Sequence, residues 1–306
     1  MSGETDLKTL LESLHPVARD GDYVYALWPH GRPLEGGIEA AVREAESLTV
    51  VLHRDAADSL GLSYDFVATW ITLQVHSALE AVGLTAAVSA ALTHAGISCN
   101  VLAGFHHDHL LVPSADAGRA MEVLRLLARG VVLRSERPED RADILELTAR
   151  AFSVSPVTGE PVEGRPLEVG LLEELFECSE YIPELSIVAE MGGEIVGHAM
   201  STRGWIDDLK LVALGPIGVL PPFQRRGVGS ALMRETAARA TALGEPAIAL
   251  LGSPLYYPRF GYVPATSMGV EPPEATWGEH FQLLTLPGWP DDVHGTFRYA
   301  GPFNRL

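Results

Sequence analysis

The stretch Pro222–Met233 reads PFQRRGVGSALM and places two arginines and two glycines between an apolar run and a helical run. Pro221 and Pro222 stop strand pairing after the apolar run, because proline has no N–H to donate. Gly227 and Gly229 let the backbone turn sharply without side chains covering its amides. The pattern predicts a strand, a tight turn and a helix in succession.

This turn favours an anionic ligand. The first turn of a helix carries about half a positive charge, and its free backbone amides bind phosphates. Arg225 and Arg226 add charge-assisted donors worth about 1.5–3 kcal/mol per hydrogen bond. The stretch lacks the lysine of a nucleotide P-loop, and GVGS is too short for the dinucleotide fingerprint. The predicted ligand is therefore a pyrophosphate, with ATP and NAD disfavoured.

The same residues resemble a known motif. The run QRRGVGSA after a β-strand is similar to the pyrophosphate-binding motif Q/R-x-x-G-x-G/A of the GNAT superfamily of acetyl-CoA-dependent N-acyltransferases. The resemblance spans residue 131 to about residue 286 and includes YYPRFGY in family order. The longer run LGSPLYYPRFGYVPA resembles a bacterial subgroup of GNAT enzymes. The resemblance implies a mixed-sheet acyltransferase fold, with acetyl-CoA as co-substrate.

The resemblance also implies roles for single residues. The backbone of residues 217–219 pairs with the pantetheine arm, and the amides of residues 225–230 hold the pyrophosphate. The implied cofactor-binding residues are Ile217, Gly218, Val219, Gln224, Arg225, Arg226, Gly227, Val228, Gly229 and Ser230. Tyr257 aligns with the tyrosine that protonates the departing CoA thiolate, and Tyr256 is the weaker alternative. A phenol of pKa about 10 is protonated at neutral pH and can protonate a thiolate of pKa about 8.5. A packing aromatic beside Phe260 is the other interpretation of Tyr257.

One position departs from the family pattern. Protein-lysine members of the superfamily carry a glutamate as general base on the central strand, and the corresponding residue is Ala213. An alkylammonium of pKa about 10.4 is almost fully charged at pH 7, so its free amine costs roughly 4–5 kcal/mol. Asp207 and Asp208 in a strand hairpin, His198 on the preceding strand, and water are the candidates for accepting the proton. A packed or locally hydrogen-bonded histidine is the other interpretation of His198.

The N-terminal block runs from about residue 7 to residue 129. Strands are predicted at 22–28, 41–46 and 48–53, with a short helix at 55–60. A strand from Thr69, a helix from Leu79 that stops at Gly96, strands at 97–103 and 108–113, and a helix at 115–128 follow. Ser114 is the predicted N-cap of the last helix.

This βαββα order resembles the ACT domains, which are small amino-acid-binding regulatory modules. The runs that carry the resemblance are ITLQVHSALEAVGLTAAVS and GISCNVLAGFHHDHLLVP, and the preceding strands look like a degenerate second copy of the same unit. The resemblance implies a compact tandem and an amino-acid site near Ser77 and Leu79, with Asn100 on the neighbouring strand.

The cluster FHHDH, with His76 nearby, raises the question of a metal site. In a strand, His107 and His109 point to one face, at a spacing that two ligands can have. No acidic or thiolate partner at ligand spacing completes a site. The sequence therefore favours a polar hairpin turn and no metal.

Composition limits the partners and the compartment. The 306 residues favour two domains, placed at 1–129 and 130–306. A net charge of −18 repels nucleic acid, and no apolar run is long enough to span a membrane. The start carries acid where a secretory signal carries base, so no targeting segment is predicted. Two cysteines, Cys99 and Cys178, suit a reducing cytoplasm.

The second block is predicted to be a mixed α/β sheet with helices between its strands. Helices are predicted at 138–152, 167–177 and 227–243, and strands at 131–135, 184–191, 194–202, 209–219, 247–252 and 281–287, followed by coil. The 15 acidic residues between Glu136 and Glu194, against four arginines, are interpreted as solvated helix faces or as a surface that attracts a cation.

The sequence thus predicts an α+β protein in which an ACT-like regulatory domain precedes a GNAT N-acetyltransferase domain. The expected reaction moves an acetyl group from acetyl-CoA to a small-molecule or peptide amine in a ternary complex. Further expected partners are an amino-acid effector and a second copy of the chain in a homodimer. The alternative function is an amino-acid sensor whose GNAT domain has little or no activity.

Overall fold

The structure is a computed structural model that describes residues 4, 6–34, 37–75, 81–154 and 159–305. The chain divides into two compact units, Met1–Gly130 and Val131–Leu306. Across those described ranges, no helix is both long enough and apolar enough to cross a bilayer.

In its described residues, the N-terminal unit combines four α-helices with one antiparallel sheet. Its helices are α1 (Leu7–Glu12), α2 (Arg54–Ser59), α3 (Leu84–His94) and α4 (Ala117–Leu127). Its strands are β1 (His15–Ala18), β2 (Tyr23–Trp28), β3 (Ile38–Arg43), β4 (Leu48–His53), β5 (Val67–Gln74), β6 (Asn100–Ala103) and β7 (Asp108–Pro113). The sheet order is β3-β4-β2-β5-β7-β6, and β1 also pairs with β5.

The side chains of β2 alternate between two hydrophobic clusters of this unit. Val24, Ala26 and Trp28 are buried and form one cluster with Ala57 of α2. Tyr23 belongs to a second cluster with Trp70. Because successive strand residues point to opposite faces, one strand contributes to the core on both sides of the sheet.

Several predicted elements of this unit need correction. The long helix begins at Leu84 instead of Leu79, because its N-cap Gly83 has φ 104°, in the left-handed region; residues 76–80 lie outside the described residues. The strand predicted at 41–46 lies at Ile38–Arg43. Ser114 does not cap α4; its hydroxyl donates to Asp22 at 2.7 Å.

The described part of the C-terminal unit has three α-helices around one mixed sheet. The helices are α5 (Arg141–Ala151), α6 (Leu167–Phe176) and α7 (Val228–Ala242). The strands are β8 (Val131–Ser135), β9 (Ile187–Met191), β10 (Glu194–Ile206), β11 (Leu209–Val219), β12 (Ala247–Leu251), β13 (Val263–Pro264), β14 (Val270–Glu271), β15 (Phe281–Thr285) and β16 (Gly295–Arg298). The sheet order is β13-β15-β12-β11-β10-β16-β14, and β8 and β9 extend it from β10.

Two neighbouring strands separate in the middle of this sheet. Strands β11 and β12 run parallel and pair at Val212 with Ile248 and at Ala213 with Ala249. Beyond Ala213, β11 continues along β10 as far as Val219, with a shift in register at Ala199 and Ser201. Strand β12 instead continues along β15. A gap therefore opens between β11 and β12.

The segment after β15 differs from its prediction as coil. Strand β16 pairs with β10, where Trp205 lies opposite Arg298 and Ile206 opposite Phe297. The Phe297 ring fills the space that a Cβ at Gly204 would occupy, at 2.3 Å. Glycine at position 204 therefore lets an aromatic side chain close the core, a tertiary effect that local sequence periodicity does not record.

Candidate active site

A cavity of about 550 Å³ lies in the C-terminal unit where β11 and β12 separate. Its walls come from the end of β11, the turn that leads into α7, and the short helical segment after β12. The lining residues are Ile217, Val219, Gln224, Arg225, Gly227, Gly229, Ser230, Tyr256, Tyr257 and Arg259. Of the residues that the structure describes, two arginines and no carboxylate line this cavity, in a chain of net charge −18. The cavity thus favours an anion.

Local hydrogen bonds and backbone angles shape the turn. The Gln224 side chain donates from Nε2 to the Val219 carbonyl at 3.0 Å, which holds the end of β11 to the turn. Arg225 has φ 58° and Gly227, the N-cap of α7, has φ 94°. The left-handed conformation costs a non-glycine residue about 1–2 kcal/mol. The amides of the first turn of α7 have no intrahelical acceptor, so they can donate to a ligand.

The structure brings most of the predicted cofactor-binding residues to this cavity. Three of them do not line it. Gly218 faces Leu147 and Ala151 of α5. The Arg226 guanidinium lies 5.9 Å from the Phe223 ring, and the Val228 side chain is buried.

Tyr257 lies in the wall of the cavity beside the end of β12. A Cβ at Gly252 would lie 2.2 Å from its ring, so glycine at position 252 makes room for the tyrosine. Burial, with a smaller contribution from Tyr256, raises the pKa of Tyr257 to about 12. The phenol is therefore protonated at neutral pH and can act as an acid.

Tyr256 and Arg259 also line the cavity, and the Tyr256 ring lies 5.0 Å from the Tyr257 ring. The Tyr256 hydroxyl is the closest atom to the position of a Cβ at Gly229, at 3.5 Å. Arg259 donates from Nε to the Tyr256 carbonyl at 2.9 Å, and its guanidinium lies 4.6 Å from the Tyr256 ring centroid. Sequence reasoning missed Arg259, although its place in YYPRFGY was the signal that could have identified it.

None of the three side chains considered as proton acceptors lines the cavity. Ala213, at the position of the family's glutamate, is buried and has no group that can accept a proton. Asp207 and Asp208 form the turn between β10 and β11, at the far end of β11 from Ile217. From Leu209 to Ile217 the strand rises by eight steps of about 3.3 Å each, which separates this turn from the cavity by roughly 26 Å.

His198 is held in a separate polar cluster. It is 1% exposed, and burial lowers its pKa to about 3. Its Nε2 lies 3.0 Å from the Ser186 hydroxyl, which donates to Glu136 at 2.5 Å. Tyr181 and Arg141 also donate to Glu136. We call these five residues the Glu136 cluster. Since the Ser186 hydroxyl hydrogen goes to Glu136, His198 donates to Ser186 and is neutral.

The predicted effector-site residues have mixed positions. Asn100 is exposed at the start of β6, whereas Ser77 and Leu79 lie outside the described residues. His107 and His109 make local contacts, at 3.4 Å to the Val75 carbonyl and 3.1 Å to the Thr72 hydroxyl. Within the described parts of the chain, no group of three or more His, Cys, Asp or Glu residues is placed to hold a metal ion.

Comparison with family models gives the two units separate matches. Residues 2–69 and residues 66–125 each match a model of the ACT domain. Residues 143–262 match the model of the acetyltransferase (GNAT) family. The last match includes the end of β11, the turn and the Tyr256–Tyr262 segment.

Comparison with curated proteins shows a similar N-acetyltransferase. The chain is 32% identical over 171 residues to the uncharacterized N-acetyltransferase YjhQ of Escherichia coli (strain K12). The aligned region covers 53% of this chain and 88% of the relative. The chain belongs to the GNAT acetyltransferase family. The predicted family, and the ACT domains that precede it, are thereby confirmed.

Solved structures of GNAT proteins resemble the same region. A GNAT family N-acetyltransferase (YhbS) from Escherichia coli, solved with CoA, is 24% identical with a TM-score of 0.50, and the match covers 57% of this chain and 93% of that one. A GNAT family acetyltransferase from Brucella melitensis, solved with acetyl-CoA, is 30% identical with a TM-score of 0.45, and the match covers 56% of this chain and 97% of that one. The predicted fold class, a GNAT mixed sheet after an ACT-like unit, is confirmed.

Proposed function

We propose that this GNAT protein transfers the acetyl group of acetyl-CoA to a primary amine, with Tyr257 as the acid. The observation that carries the proposal is the cavity between β11 and α7, which has a glycine-rich turn at one wall and a buried tyrosine at another. The turn binds the diphosphate through its amides and Arg225. The β11 residues Ile217 to Val219 pair with the pantetheine arm.

The reaction is a direct attack in a ternary complex. The amine nitrogen forms a bond to the thioester carbon, and the C–S bond breaks with its electron pair on sulfur. Tyr257 gives its proton to that sulfur and is reprotonated, through water, by the proton that the nitrogen loses as the amide forms. With a phenol pKa of about 12, full transfer to a free thiolate of pKa about 8.5 costs roughly 5 kcal/mol. The proton therefore moves as the C–S bond breaks.

Water takes the proton of the attacking ammonium in this proposal. Position 213 carries no carboxylate, and the candidates Asp207, Asp208 and His198 lie away from the cavity wall. An amine that is already partly neutral at pH 7 therefore reacts faster than an alkylamine of pKa about 10.4. The acidic surface between Glu136 and Glu194 attracts a cationic acceptor and raises its encounter rate.

A panel of amines, assayed by release of free CoA thiol, tests this function. We expect thiol release with at least one primary amine, and saturable binding of acetyl-CoA by isothermal titration calorimetry. The absence of acetyl-CoA binding at micromolar concentrations would overturn the proposal. The Tyr257→Phe variant serves as the control that assigns the turnover to this site.

An amino-acid sensor is the second candidate function. Two observations favour it: the N-terminal residues match two consecutive ACT models, and the family's general-base position holds alanine. A sensor shows an amino-acid-dependent rise in thermal stability without thiol release. An enzyme gated by an amino acid shows both, and the amino acid then changes acetyl-CoA affinity by the same factor as acetyl-CoA changes amino-acid affinity.

A further inference from the structure

Gly252, the residue that makes room for the Tyr257 ring, is held on both sides by residues at the start of β15. Its N–H donates to the His280 carbonyl at 2.8 Å. Its carbonyl accepts a hydrogen bond from Nε2 of Gln282 at 3.1 Å. Only the second of these bonds comes from a side chain. The position of the Gly252 backbone therefore depends on the residue type at position 282.

The buried Gln282 amide uses its donor but not its acceptor. Gln282 is fully buried and lies opposite Leu250 of β12 and Pro264 of β13 in the sheet. In the part of the chain that the structure describes, its Oε1 is buried without a hydrogen-bond partner. A buried acceptor without a partner destabilises the fold, so packing alone favours an apolar residue here. The bond to the Gly252 carbonyl is the use that the structure makes of this amide.

Two residues fix the place of the Tyr257 ring. The ring lies against the Gly252 backbone, where the Cβ of any other residue would come within 2.2 Å of it. The Tyr262 ring stands edge-on to the Tyr257 ring, with 5.9 Å between the ring centroids. A general acid works only when its proton lies within hydrogen-bond reach of the atom that receives it. A shift of Gly252 therefore changes how well the Tyr257 hydroxyl can reach a leaving sulfur.

We propose that Gln282 is a positioning residue for Tyr257, because its bond to the Gly252 carbonyl fixes the backbone against which the tyrosine ring packs. Among the described residues, Gln282 is not part of the cavity lining. It therefore acts through Tyr257 and not on the cofactor or the amine. This role rests on the proposed function, since it needs Tyr257 to be the acid of that reaction.

Gln282→Met removes the donor and keeps an unbranched side chain of similar length. We expect kcat, measured by thiol release, to fall about 5- to 30-fold, because a misplaced acid transfers its proton poorly. Acetyl-CoA affinity should stay within about twofold of the wild type, since the cavity lining is unchanged. The deciding measurement is the same substitution in the Tyr257→Phe protein, where kcat should change less than about twofold because no acid is left to position. A general loosening of the fold would lower kcat in both backgrounds.

Two further variants separate the position of the ring from packing. Gly252→Ala places a methyl group where the Tyr257 ring lies, so we expect a similar fall in kcat that also disappears in the Tyr257→Phe background. This variant leaves the buried Gln282 in place, so it tests the role even if Gln282→Met does not fold. The matched control is Tyr262→Phe, which removes a buried hydroxyl without a described partner and keeps the ring beside Tyr257. We expect its kcat within about twofold of the wild type and its midpoint of thermal unfolding unchanged or raised.

The outcomes distinguish this role from the proposed function. A Gln282→Met protein whose kcat falls less than about threefold overturns the role, and so does an equal fall in the wild-type and Tyr257→Phe backgrounds. A Gly252→Ala protein with unchanged kcat overturns it as well. An unchanged kcat in Tyr257→Phe alone removes the acid and the role together. A wild-type protein that releases no thiol with any amine rejects the proposed function itself.

Discussion

Two polar regions of the C-terminal unit, one at β10 and one at the end of β11, differ in whether their polar groups bond to each other. In the Glu136 cluster, which includes His198 of β10, each of the polar side chains is bonded to another, and the Glu136 side chain is 2% exposed. The cavity at the end of β11 is lined by Gly229 and Ser230 of the first turn of α7 and by Arg259. The polar groups of the Glu136 cluster bond to one another, whereas the turn and Arg259 can donate hydrogen bonds to a ligand.

The difference shows how to recognise a site among polar residues. A histidine, a serine and a glutamate in one chain of hydrogen bonds suggest catalysis from residue types alone. Their burial and mutual satisfaction instead indicate a structural role, because a fully bonded polar network stabilises one packing arrangement. Unused donors at a cavity wall indicate a ligand, since desolvated donors without acceptors are costly.

The largest expected effect comes from placing a negative charge at the turn. In Gly229→Asp, a carboxylate at the first turn of α7 suits the helix dipole, so the fold is retained, but it repels the cofactor phosphates. We expect acetyl-CoA affinity to fall at least about 100-fold, measured by isothermal titration calorimetry, with the midpoint of thermal unfolding unchanged or raised. The control is Gly229→Ala, whose Cβ meets only ordinary contacts at 3.5 Å and 3.7 Å. Equal affinity in the Asp variant would place the diphosphate elsewhere.

Tyr257→Phe should separate chemistry from binding. We expect kcat to fall about 10- to 100-fold, in the range that general acids contribute, with acetyl-CoA affinity within twofold of the wild type. Because the pKa of Tyr257 is raised to about 12, its ionisation should not reduce kcat of the wild type below about pH 10. Thiol release followed against pH checks both points. A fall of less than a few-fold would remove Tyr257 from the mechanism.

His198→Gln tests the structural role of the Glu136 cluster. The imidazole pKa is about 3 in the folded protein and about 6.5 when unfolded. Between these values the unfolded state binds an extra proton, so the free energy of unfolding falls as pH falls from about 6.5 toward 3, by up to about 1.4 kcal/mol per unit. Glutamine keeps a donor for Ser186 but does not titrate.

We therefore expect His198→Gln to flatten this acid dependence in urea unfolding measured at several pH values. The exposed His30→Gln variant is the control, because its imidazole stays in water in both states. An unchanged slope in His198→Gln would show that His198 is protonated in the folded protein. A loss of kcat with unchanged stability would instead move His198 into the reaction.

The smallest expected effect is that of Asp207→Asn combined with Asp208→Asn. These side chains lie at the far end of β11 from the cavity, so kcat and its pH dependence should stay within twofold of the wild type. Asparagine also tolerates the left-handed backbone at position 207, where φ is 50°. A tenfold fall in kcat would make one of the two carboxylates the proton acceptor after all.

The sequence predicted the local structure around the cavity well. The strand, turn and helix around Gly227 are encoded by adjacent residues, and so is the tyrosine pair at 256–257. The contact of Tyr256 with the first turn of α7 could not be predicted, because it joins residues 27 positions apart in the chain. The same limit applies to His198, whose partner Ser186 lies 12 positions away, just before β9, and decides its role.

The fold shows the same division between local and long-range information. The periodicity of α7, β11 and β7 identified these elements nearly to their ends. Strand β16 was missed, since a four-residue strand is defined by its pairing with β10 and by Gly204, which admits the Phe297 ring. The start of α3 was misplaced because a helical pattern of apolar residues continues through Gly83, whose left-handed backbone prevents the helix from including it.

A crystal structure of the protein with CoA tests the central claim most directly. We predict diphosphate oxygens about 3 Å from the amide nitrogens of Gly227 to Ser230, with the sulfur near the Tyr257 hydroxyl. A diphosphate bound away from this turn, or a cavity that stays empty at saturating CoA, would contradict the account.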